Sequence, residues 1–126
     1  MSDDCIQVLI VDDHEFVRSS LSIAFEQYDS LCVVGEAATA AEALELCVAL
    51  QPDAVLLDFI LPDLDGMTAV ARIKAHLPTA QIIVLSAENY YQEAIQAGAA
   101  ACLLKDNSFD TIARTIEDAC HNSRAN

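Results

Sequence analysis

The sequence predicts an α/β fold in which helices cover both faces of a parallel, five-stranded sheet. Short apolar runs recur along the chain and end on polar residues, as strands buried on both faces of a parallel sheet do. Segments with apolar residues at helical spacing separate these runs, and the alternation indicates right-handed β–α–β units. The chain has 126 residues, 54% of them hydrophobic, which is enough for the core of one domain.

The strands are predicted from apolar runs that are bounded by turn residues. The central run follows Pro52, passes through four consecutive apolar residues and stops on the carboxylate of Asp58. Pro62 and Gly66 come soon afterwards, so the chain turns there. The predicted strands are residues 6–11, 31–37, 53–58, 82–85 and 100–104.

A helix is predicted after each strand from amphipathic spacing and from helix-end signals. Thr39 and Glu42 form a capping box at the start of the second helix, and Pro52 ends it. Gly98 is the predicted C-cap of the fourth helix, and Ser108 the N-cap of the fifth. The predicted helices are residues 14–28, 39–51, 66–76, 90–97 and 108–120, followed by a frayed tail over residues 121–126. In one domain of this size the expected strand order is 2-1-3-4-5, the flavodoxin-like doubly wound arrangement.

The charge balance restricts the classes of partner. The chain carries 20 acidic and 6 basic residues, a formal net charge of −14. Such a chain repels nucleic acid phosphates and anionic lipid surfaces, so we expect neither direct nucleic acid binding nor membrane binding. No apolar stretch is long enough for a membrane span, and the N-terminus is acidic where a signal peptide would be basic. These features predict a soluble, cytoplasmic protein.

The cysteines predict neither a disulfide framework nor a zinc site. Their number is odd, no two of them form a CxxC pair, and several lie in apolar runs, where a reduced cysteine behaves as a small hydrophobic residue. They are Cys5, Cys32, Cys47, Cys102 and Cys120.

Polar residues at the ends of four predicted strands form the candidate site. Asp12 and Asp13 follow strand one, Asp58 ends strand three, Ser86 ends strand four and Lys105 follows strand five. Each has an ordinary explanation as a cap, a turn residue or a surface lysine, but parallel strands deliver all of them to one edge of the sheet. Three clustered carboxylates favour a hard cation such as Mg²⁺. Carboxylate, metal, lysine and hydroxyl together suit phosphoryl transfer, with an aspartate as nucleophile.

These residues lie in motifs that cover nearly the whole chain. The chain resembles a response regulator receiver domain of two-component signalling, and it is most similar to the NarL/FixJ subgroup, whose members usually carry a helix-turn-helix output domain. One receiver domain over residues 1–126 is therefore expected. The matching motifs are Val11-Asp12-Asp13-His14, Val34-Gly35-Glu36-Ala37, Leu57-Asp58, Leu61-Pro62-Asp63-Leu64-Asp65-Gly66, Leu85-Ser86-Ala87, Ala97-Gly98-Ala99 and Leu103-Leu104-Lys105-Asp106.

The resemblance implies a role for each site residue. Asp58 is the implied phosphoacceptor, and the donor is the phosphohistidine of a sensor histidine kinase or a phosphotransfer protein. No enzymatic activity beyond weak autophosphatase activity is implied. The implied Mg²⁺ ligands are Asp12, Asp13, Asp58 and the backbone carbonyl of Ile60, and the implied phosphoryl-binding groups are Ser86, the backbone of Ala87, and Lys105.

The sequence departs from the family pattern in two places. Cys102 occupies a position where the family usually has a switch aromatic residue, three residues before Lys105. The segment from Ser86 to Gly98 is also shorter than usual by roughly one helical turn. Tyr90 and Tyr91 either compensate for Cys102 or only cover the shortened segment, and the covering role is the expected one. His14 follows the acidic pair directly and is a second candidate for contact with the metal site, but it is expected to act mainly as a first-turn helix residue.

These departures favour one alternative function, a pseudo-receiver that binds partners without regulated phosphorylation. A Mg²⁺-dependent phosphohydrolase is disfavoured because the chain has no segment for substrate specificity, and a flavodoxin-like electron carrier because no phosphate loop follows strand one. The chain ends with its fifth helix. We therefore expect either a stand-alone receiver with its own output partner or a fragment whose C-terminal effector domain is missing. A phosphorylation-dependent homodimer is compatible with both.

Overall fold

The computed structural model describes residues 5–125, with side chains through residue 122. Five strands and five helices alternate in this part of the chain, and the parallel sheet has the predicted order β2-β1-β3-β4-β5. The strands are β1 (Ile6–Val11), β2 (Leu31–Ala37), β3 (Ala54–Asp58), β4 (Gln81–Ser86) and β5 (Ala101–Leu104). The helices are α1 (Glu15–Phe25), α2 (Ala40–Leu50), α3 (Gly66–His76), α4 (Tyr91–Ala97) and α5 (Phe109–Ala125).

The register of the strands aligns their carboxyl ends. Val11 of β1 pairs with Leu57 of β3, and Asp58 pairs with Leu85 of β4. Ser86, the next residue of β4, pairs with Leu104 of β5. The residues that end each strand therefore meet at one edge of the sheet, as the sequence predicts.

Alternate residues of each strand point to opposite faces of the sheet, and each face has its own core. On one face Leu9, Leu57 and Val84 pack against α2, α3 and α4. On the other face Ile10 and Leu56 pack against α1 and α5. Because β3 is buried at every position, its sequence is a continuous apolar run that only the final aspartate breaks.

The predicted helix caps are present. The Thr39 hydroxyl accepts a hydrogen bond from the Glu42 amide at 3.1 Å, and the Glu42 carboxylate accepts one from the Ala38 amide at 2.8 Å. Gly98 ends α4 with a positive φ of 121°. The Ser108 hydroxyl accepts a hydrogen bond from the Thr111 amide at 3.1 Å, which caps α5. Local sequence chemistry therefore explains these three helix boundaries.

Two helices end at different residues from those predicted. Helix α1 ends at Phe25 rather than at residue 28. The amides that follow donate to carbonyls three residues earlier, as Tyr28 N–H does to the Phe25 carbonyl, and this pattern is a series of tight turns rather than an α-helix. Helix α5 continues to Ala125, where a frayed tail was predicted from residue 121 onward. Ile116 and the buried Cys120 pack the inner face of α5 into the core. The final turn continues from this packed part of the helix.

The prediction that the chain has no disulfide is wrong. Cys5 and Cys32 form a disulfide, with their Cα atoms 5.9 Å apart. Cys5 directly precedes β1, and Cys32 is the second residue of the neighbouring strand β2. Strand pairing therefore brings together two cysteines that are 27 residues apart in sequence. Cys47, Cys102 and Cys120 carry thiols.

Candidate acidic site at the carboxyl edge of the sheet

Two buried carboxylates and one ammonium group form the centre of the site. Asp12 follows β1 and is 3% exposed, and Asp58 ends β3 and is 5% exposed. The Lys105 Nζ lies 2.9 Å from Asp12 Oδ2 and 3.1 Å from Asp58 Oδ2. The Lys105 amide also donates a hydrogen bond to the Ser86 carbonyl at 2.8 Å, which continues the pairing of β4 with β5 and fixes the start of the lysine side chain.

The surroundings shift the pKa values of the two carboxyls in opposite directions. Burial acts to raise the pKa of Asp12, but hydrogen bonds from Lys105 and from the His14 amide and ring outweigh it and lower the pKa. Burial also raises the pKa of Asp58, and the nearby charge of Asp12 adds to this rise, while the Ile60 amide and Lys105 oppose it. The two carboxylates in turn raise the pKa of Lys105 against the effect of its burial. Lys105 therefore stays charged, and ionisation is less favourable for Asp58 than for Asp12.

His14 lies closer to the acidic cluster than the sequence indicates. Its amide donates a hydrogen bond to Asp12 Oδ1 at 2.8 Å, and its Nδ1 lies 3.0 Å from both Asp12 Oδ1 and Asp13 Oδ1. His14 is the residue before the first turn of α1, and its side chain caps no amide there. The sequence signal that could have identified it is its place directly after the acidic pair.

The cluster fits a hard divalent cation. Asp12, Asp13, His14 and Asp58 each offer one ligand atom, and these atoms all lie within 4.8 Å of one another. Three of the four groups are carboxylates, the ligands that Mg²⁺ prefers. Asp13 is more open to solvent than Asp12 and Asp58, with its side chain 37% exposed, so the site has an accessible side.

The loop after β3 lies against the Asp58 carboxylate. The Ile60 amide donates a hydrogen bond to Asp58 Oδ1 at 3.1 Å, and Ile60 forms an antiparallel bridge with Asp65. Gly66 is required here, because a Cβ atom at this position would lie 2.4 Å from the Phe59 carbonyl oxygen. The Ile60 carbonyl thus belongs to a loop held beside the site, and its role as a metal ligand stays a prediction.

The two other aspartates of this loop cap helices. Asp63 accepts hydrogen bonds from the Ala40 and Ala41 amides at 2.9 and 3.0 Å, at the start of α2. Asp65 accepts one from the Thr68 amide at 3.0 Å and is the N-cap of α3. Both carboxylates stabilise the loop next to Asp58, a role that the sequence analysis did not identify.

Ser86 is fully buried at the end of β4, one residue beyond the strand partner of Asp58. Its hydroxyl accepts a hydrogen bond from the Glu88 amide at 3.3 Å. Ala87 lies between them at the start of the exposed loop. This geometry connects the hydroxyl to the segment before α4. Binding of a phosphoryl group by Ser86 and by the Ala87 backbone stays a prediction.

Cys102 is half-buried in β5, and Tyr90 packs with it against the core. Burial raises the pKa of the Cys102 thiol, and the nearby Tyr90 backbone opposes that rise. The Tyr90 ring lies 5.0 Å from the Phe59 ring, centre to centre, whereas Tyr91 is 54% exposed. Tyr90 is thus the tyrosine that covers the core beside Cys102.

Comparisons with known proteins agree with this architecture. The sequence model of the family described as "Response regulator receiver domain" matches residues 8–117. None of the helices that the structure describes is both long and apolar enough to cross a membrane.

Curated relatives cover the same region. The chain is 38% identical over 113 residues to the uncharacterized transcriptional regulatory protein YhcZ of Bacillus subtilis, covering 87% of this chain and 53% of that protein. It is 37% identical over 117 residues to the transcriptional regulatory protein LiaR of the same species, covering 90% and 56%. The chain thus spans about half the length of the curated relatives it matches.

A solved structure supports the same assignment. The signal receiver domain of the putative response regulator NarL from Mycobacterium tuberculosis superposes with a TM-score of 0.87 at 34% identity, covering 94% of this chain and 98% of that one. The matched motifs, the strand order and the acidic edge all lie in this shared region. The chain therefore belongs to the response regulator receiver domain family of two-component signalling.

Proposed function

We propose that this chain is a phosphorylation-controlled switch in which Asp58 accepts a phosphoryl group from the phosphohistidine of a sensor kinase or phosphotransfer protein. The observation that supports this best is the buried Asp58 carboxylate, which shares the Lys105 ammonium group with Asp12. In the transfer, a carboxylate oxygen of Asp58 forms a bond to phosphorus as the P–N bond of the phosphohistidine breaks. The bonding electrons leave with the imidazole.

The neighbouring residues stabilise charge during this transfer. Lys105 leaves Asp58 for an oxygen of the phosphoryl group while it keeps its contact with Asp12, and Ser86 and the Ala87 backbone bind the remaining oxygens. Asp12, Asp13, Asp58 and the Ile60 carbonyl hold Mg²⁺, which, when bound, offsets the negative charge that gathers at the site. The chain is a phosphoacceptor and not an enzyme that turns over a separate substrate.

The output of the switch is partner binding. The chain spans about half the length of YdfI and LiaR, which are named transcriptional regulatory proteins, and the first output partner that we propose is a C-terminal DNA-binding effector in the same protein. A separate output protein and a phosphorylation-dependent homodimer are the others. We place this signalling in the cytoplasm, as the family assignment implies.

A pseudo-receiver is the second candidate function. The observation that favours it is Cys102, which has no ring to move between a buried and an exposed position and instead lies beneath Tyr90. In that case the fold binds partners in one fixed state.

Mass spectrometry after incubation with acetyl phosphate, with and without Mg²⁺, distinguishes the two. We expect Mg²⁺-dependent addition of one phosphoryl group, abolished in Asp58→Asn. The matched control is Asp118→Asn, which replaces an exposed carboxylate on α5 and should leave labelling intact. Labelling of the Asp58→Asn variant at the parent level would show that Asp58 is not the acceptor. Absence of labelling in the parent protein would favour the pseudo-receiver.

A further inference from the structure

Arg18 connects three elements beside the acidic site. Its Nη1 donates a hydrogen bond to the Asp12 carbonyl oxygen at 2.6 Å, and its Nε lies 3.3 Å from Glu36 Oε1. The arginine lies on α1, the carbonyl on the turn after β1, and the glutamate near the end of β2. The Arg18 side chain is only 16% exposed, whereas the Glu36 side chain is 38% exposed, so Glu36 is the partner on the open side of these contacts.

The glutamate that orients this guanidinium group is itself held in place. The Ser22 hydroxyl, one turn further along α1, donates a hydrogen bond to Glu36 Oε2 at 2.9 Å. Because the guanidinium group is planar, its contact with Glu36 also fixes the direction of the nitrogen that binds Asp12. Ser22, Glu36 and Arg18 therefore form a chain of contacts that ends on the backbone of the acidic pair.

The main chain of Asp12 is held on both sides. Its amide donates a hydrogen bond to the Ala37 carbonyl at 3.0 Å, and its carbonyl accepts the bond from Arg18. That carbonyl belongs to the peptide group that joins Asp12 to Asp13. Rotation of this peptide group would redirect Asp13, which is exposed at the open side of the cluster.

We propose that Arg18 is a positioning residue for the metal site, fixing the Asp12–Asp13 peptide group so that both carboxylates face one point. The inference rests on the proposed function, because it needs the cluster to bind Mg²⁺. Arg18 contacts the Asp12 carbonyl and Glu36, neither of which is a proposed metal ligand, so it acts through the main chain, as groups that orient metal ligands do.

Two other roles for Arg18 predict different results. If Arg18 acted through its charge, its removal would strengthen Mg²⁺ binding, because a positive charge near the site repels a cation. If it only stabilised the fold, its removal would lower the unfolding temperature and leave Mg²⁺ affinity unchanged. The positioning role predicts weaker Mg²⁺ binding by a folded protein.

The test is calorimetric titration of Mg²⁺ into the parent protein, Arg18→Gln and Arg18→Lys. We expect Arg18→Gln to weaken binding on the order of tenfold, the usual effect of losing a group that orients a metal ligand. Arg18→Lys keeps the charge but cannot bond the carbonyl and Glu36 with the same geometry, so it should also weaken binding, by less. Arg114→Gln is the matched control, since it breaks an arginine–aspartate pair of 2.7 Å elsewhere on the surface.

A milder variant covers the case in which Arg18→Gln fails to fold. Ser22→Ala removes only the hydroxyl that orients Glu36, and we expect a smaller loss of Mg²⁺ affinity with the fold retained. Folded Arg18 variants that bind Mg²⁺ as tightly as the parent protein, or more tightly, would overturn the positioning role. If those variants do not fold, an unchanged Mg²⁺ affinity of Ser22→Ala would overturn it. Failure of the parent protein to bind Mg²⁺ would instead overturn the proposed metal site itself.

Discussion

Asp12 and Asp58 share one ammonium group, yet the fold affects their charges differently. The pKa of Asp12 is lowered because its hydrogen bonds outweigh its burial, and the pKa of Asp58 is raised because its burial outweighs its hydrogen bonds. An ionised Asp12 therefore stabilises the folded state, whereas an ionised Asp58 destabilises it. The raised pKa of Asp58 agrees with its proposed role as the nucleophile, because forming a bond to phosphorus removes the unfavourable negative charge.

Asp58→Asn should stabilise the protein in Mg²⁺-free buffer near neutral pH. Because the folded pKa of Asp58 is raised, the parent protein loses stability as the pH rises from the unfolded value of 3.8 through the folded value. The free-energy gain of the variant should therefore grow with pH over this range and then level off. Urea unfolding of both proteins at a series of pH values measures it.

Asp12→Asn is the matched comparison and should behave in the opposite way. A lowered carboxyl pKa contributes stability that is present above the unfolded pKa and lost as the pH falls through the folded one. The variant should be less stable than the parent protein near neutral pH, and the difference should shrink in acid. Stability changes of the same sign in both variants would contradict this account of the two carboxylates.

The site residues that could be predicted from sequence are those that follow strands. Asp12, Asp58 and Lys105 are brought together by sheet topology alone, and topology follows from the order of apolar runs. His14 and Arg18 lie at the start of α1 and contact Asp12. Whether they do so depends on their side-chain rotamers and on where β2 ends beside α1. Apolar periodicity contains no information about either.

Strand β2 is the edge strand that the Cys5–Cys32 disulfide attaches to β1. The expectation of no disulfide rested on the odd number of cysteines, on their spacing and on their apolar surroundings, and none of these shows which strands become neighbours. The bond joins two cysteines that are 27 residues apart and closes a segment that contains all of β1 and α1. Its main effect should be on the unfolded chain, whose freedom it restricts.

Reduction of this disulfide should lower the free energy of unfolding by about 3.5 kcal/mol, as loop-closure entropy predicts for a segment of 27 residues. Urea unfolding with and without a reductant tests this, with mass spectrometry to report the state of the bond. The Cys5→Ser, Cys32→Ser double variant should resemble the reduced protein and should not respond to reductant. A parent protein that is equally stable in both states would show that the bond does not constrain the fold.

The segment between β4 and α4 is the element most directly connected to the site. Its Glu88 amide bonds the Ser86 hydroxyl, and its Tyr90 covers Cys102 and Phe59. A phosphoryl group that accepts a hydrogen bond from the Ser86 hydroxyl would pull that hydroxyl toward Asp58, and the Glu88 amide bonded to it would move with it, which changes the order of the segment.

Hydrogen exchange with and without beryllofluoride and Mg²⁺ should therefore change mainly in residues 87–96, with only modest changes in residues 100–104. The physical reason is that Cys102 has no ring to carry the signal into β5. Changes confined to β5 and α5 would contradict this route. If neither region changes although beryllofluoride is bound, the pseudo-receiver is the better description. Asp58→Asn, which should not bind beryllofluoride, is the control.

Helix boundaries could be predicted where a cap marks them and not elsewhere. Thr39 and Ser108 bond amides three residues later, so the starts of α2 and α5 could be predicted from the sequence. The end of α1 has no such signal, because the three-residue turns after Phe25 arise where the chain enters β2. Tertiary packing determines such ends.

The whole molecule carries a formal charge of −14, and part of that charge is gathered at the acidic site. Mg²⁺ should raise the midpoint of thermal unfolding because it binds the folded state and offsets repulsion among the carboxylates. At a concentration tenfold above the dissociation constant the gain is about 1.4 kcal/mol. Such a gain corresponds to roughly 5 °C in a domain of this size.

General screening must be separated from binding in this experiment. Any salt reduces repulsion in so acidic a protein, so sodium chloride of equal ionic strength is the control. Asp13→Asn should show a smaller rise with Mg²⁺ and the same rise with sodium chloride. Equal rises with both salts in the parent protein would indicate screening without a metal site.

The spread of the acidic site along the chain, from Asp12 to Lys105, has a consequence for biosynthesis. Translation delivers β1 through β4 before Lys105 leaves the ribosome, and domains generally fold as units. A nascent chain that stops short of Lys105 holds the Asp12 and Asp58 carboxylates without the ammonium group that joins them. Under the proposed function, neither an incomplete translation product nor a proteolytic fragment that lacks β5 has the whole acceptor site, so phosphoryl transfer would be restricted to chains that have been synthesised and folded through β5.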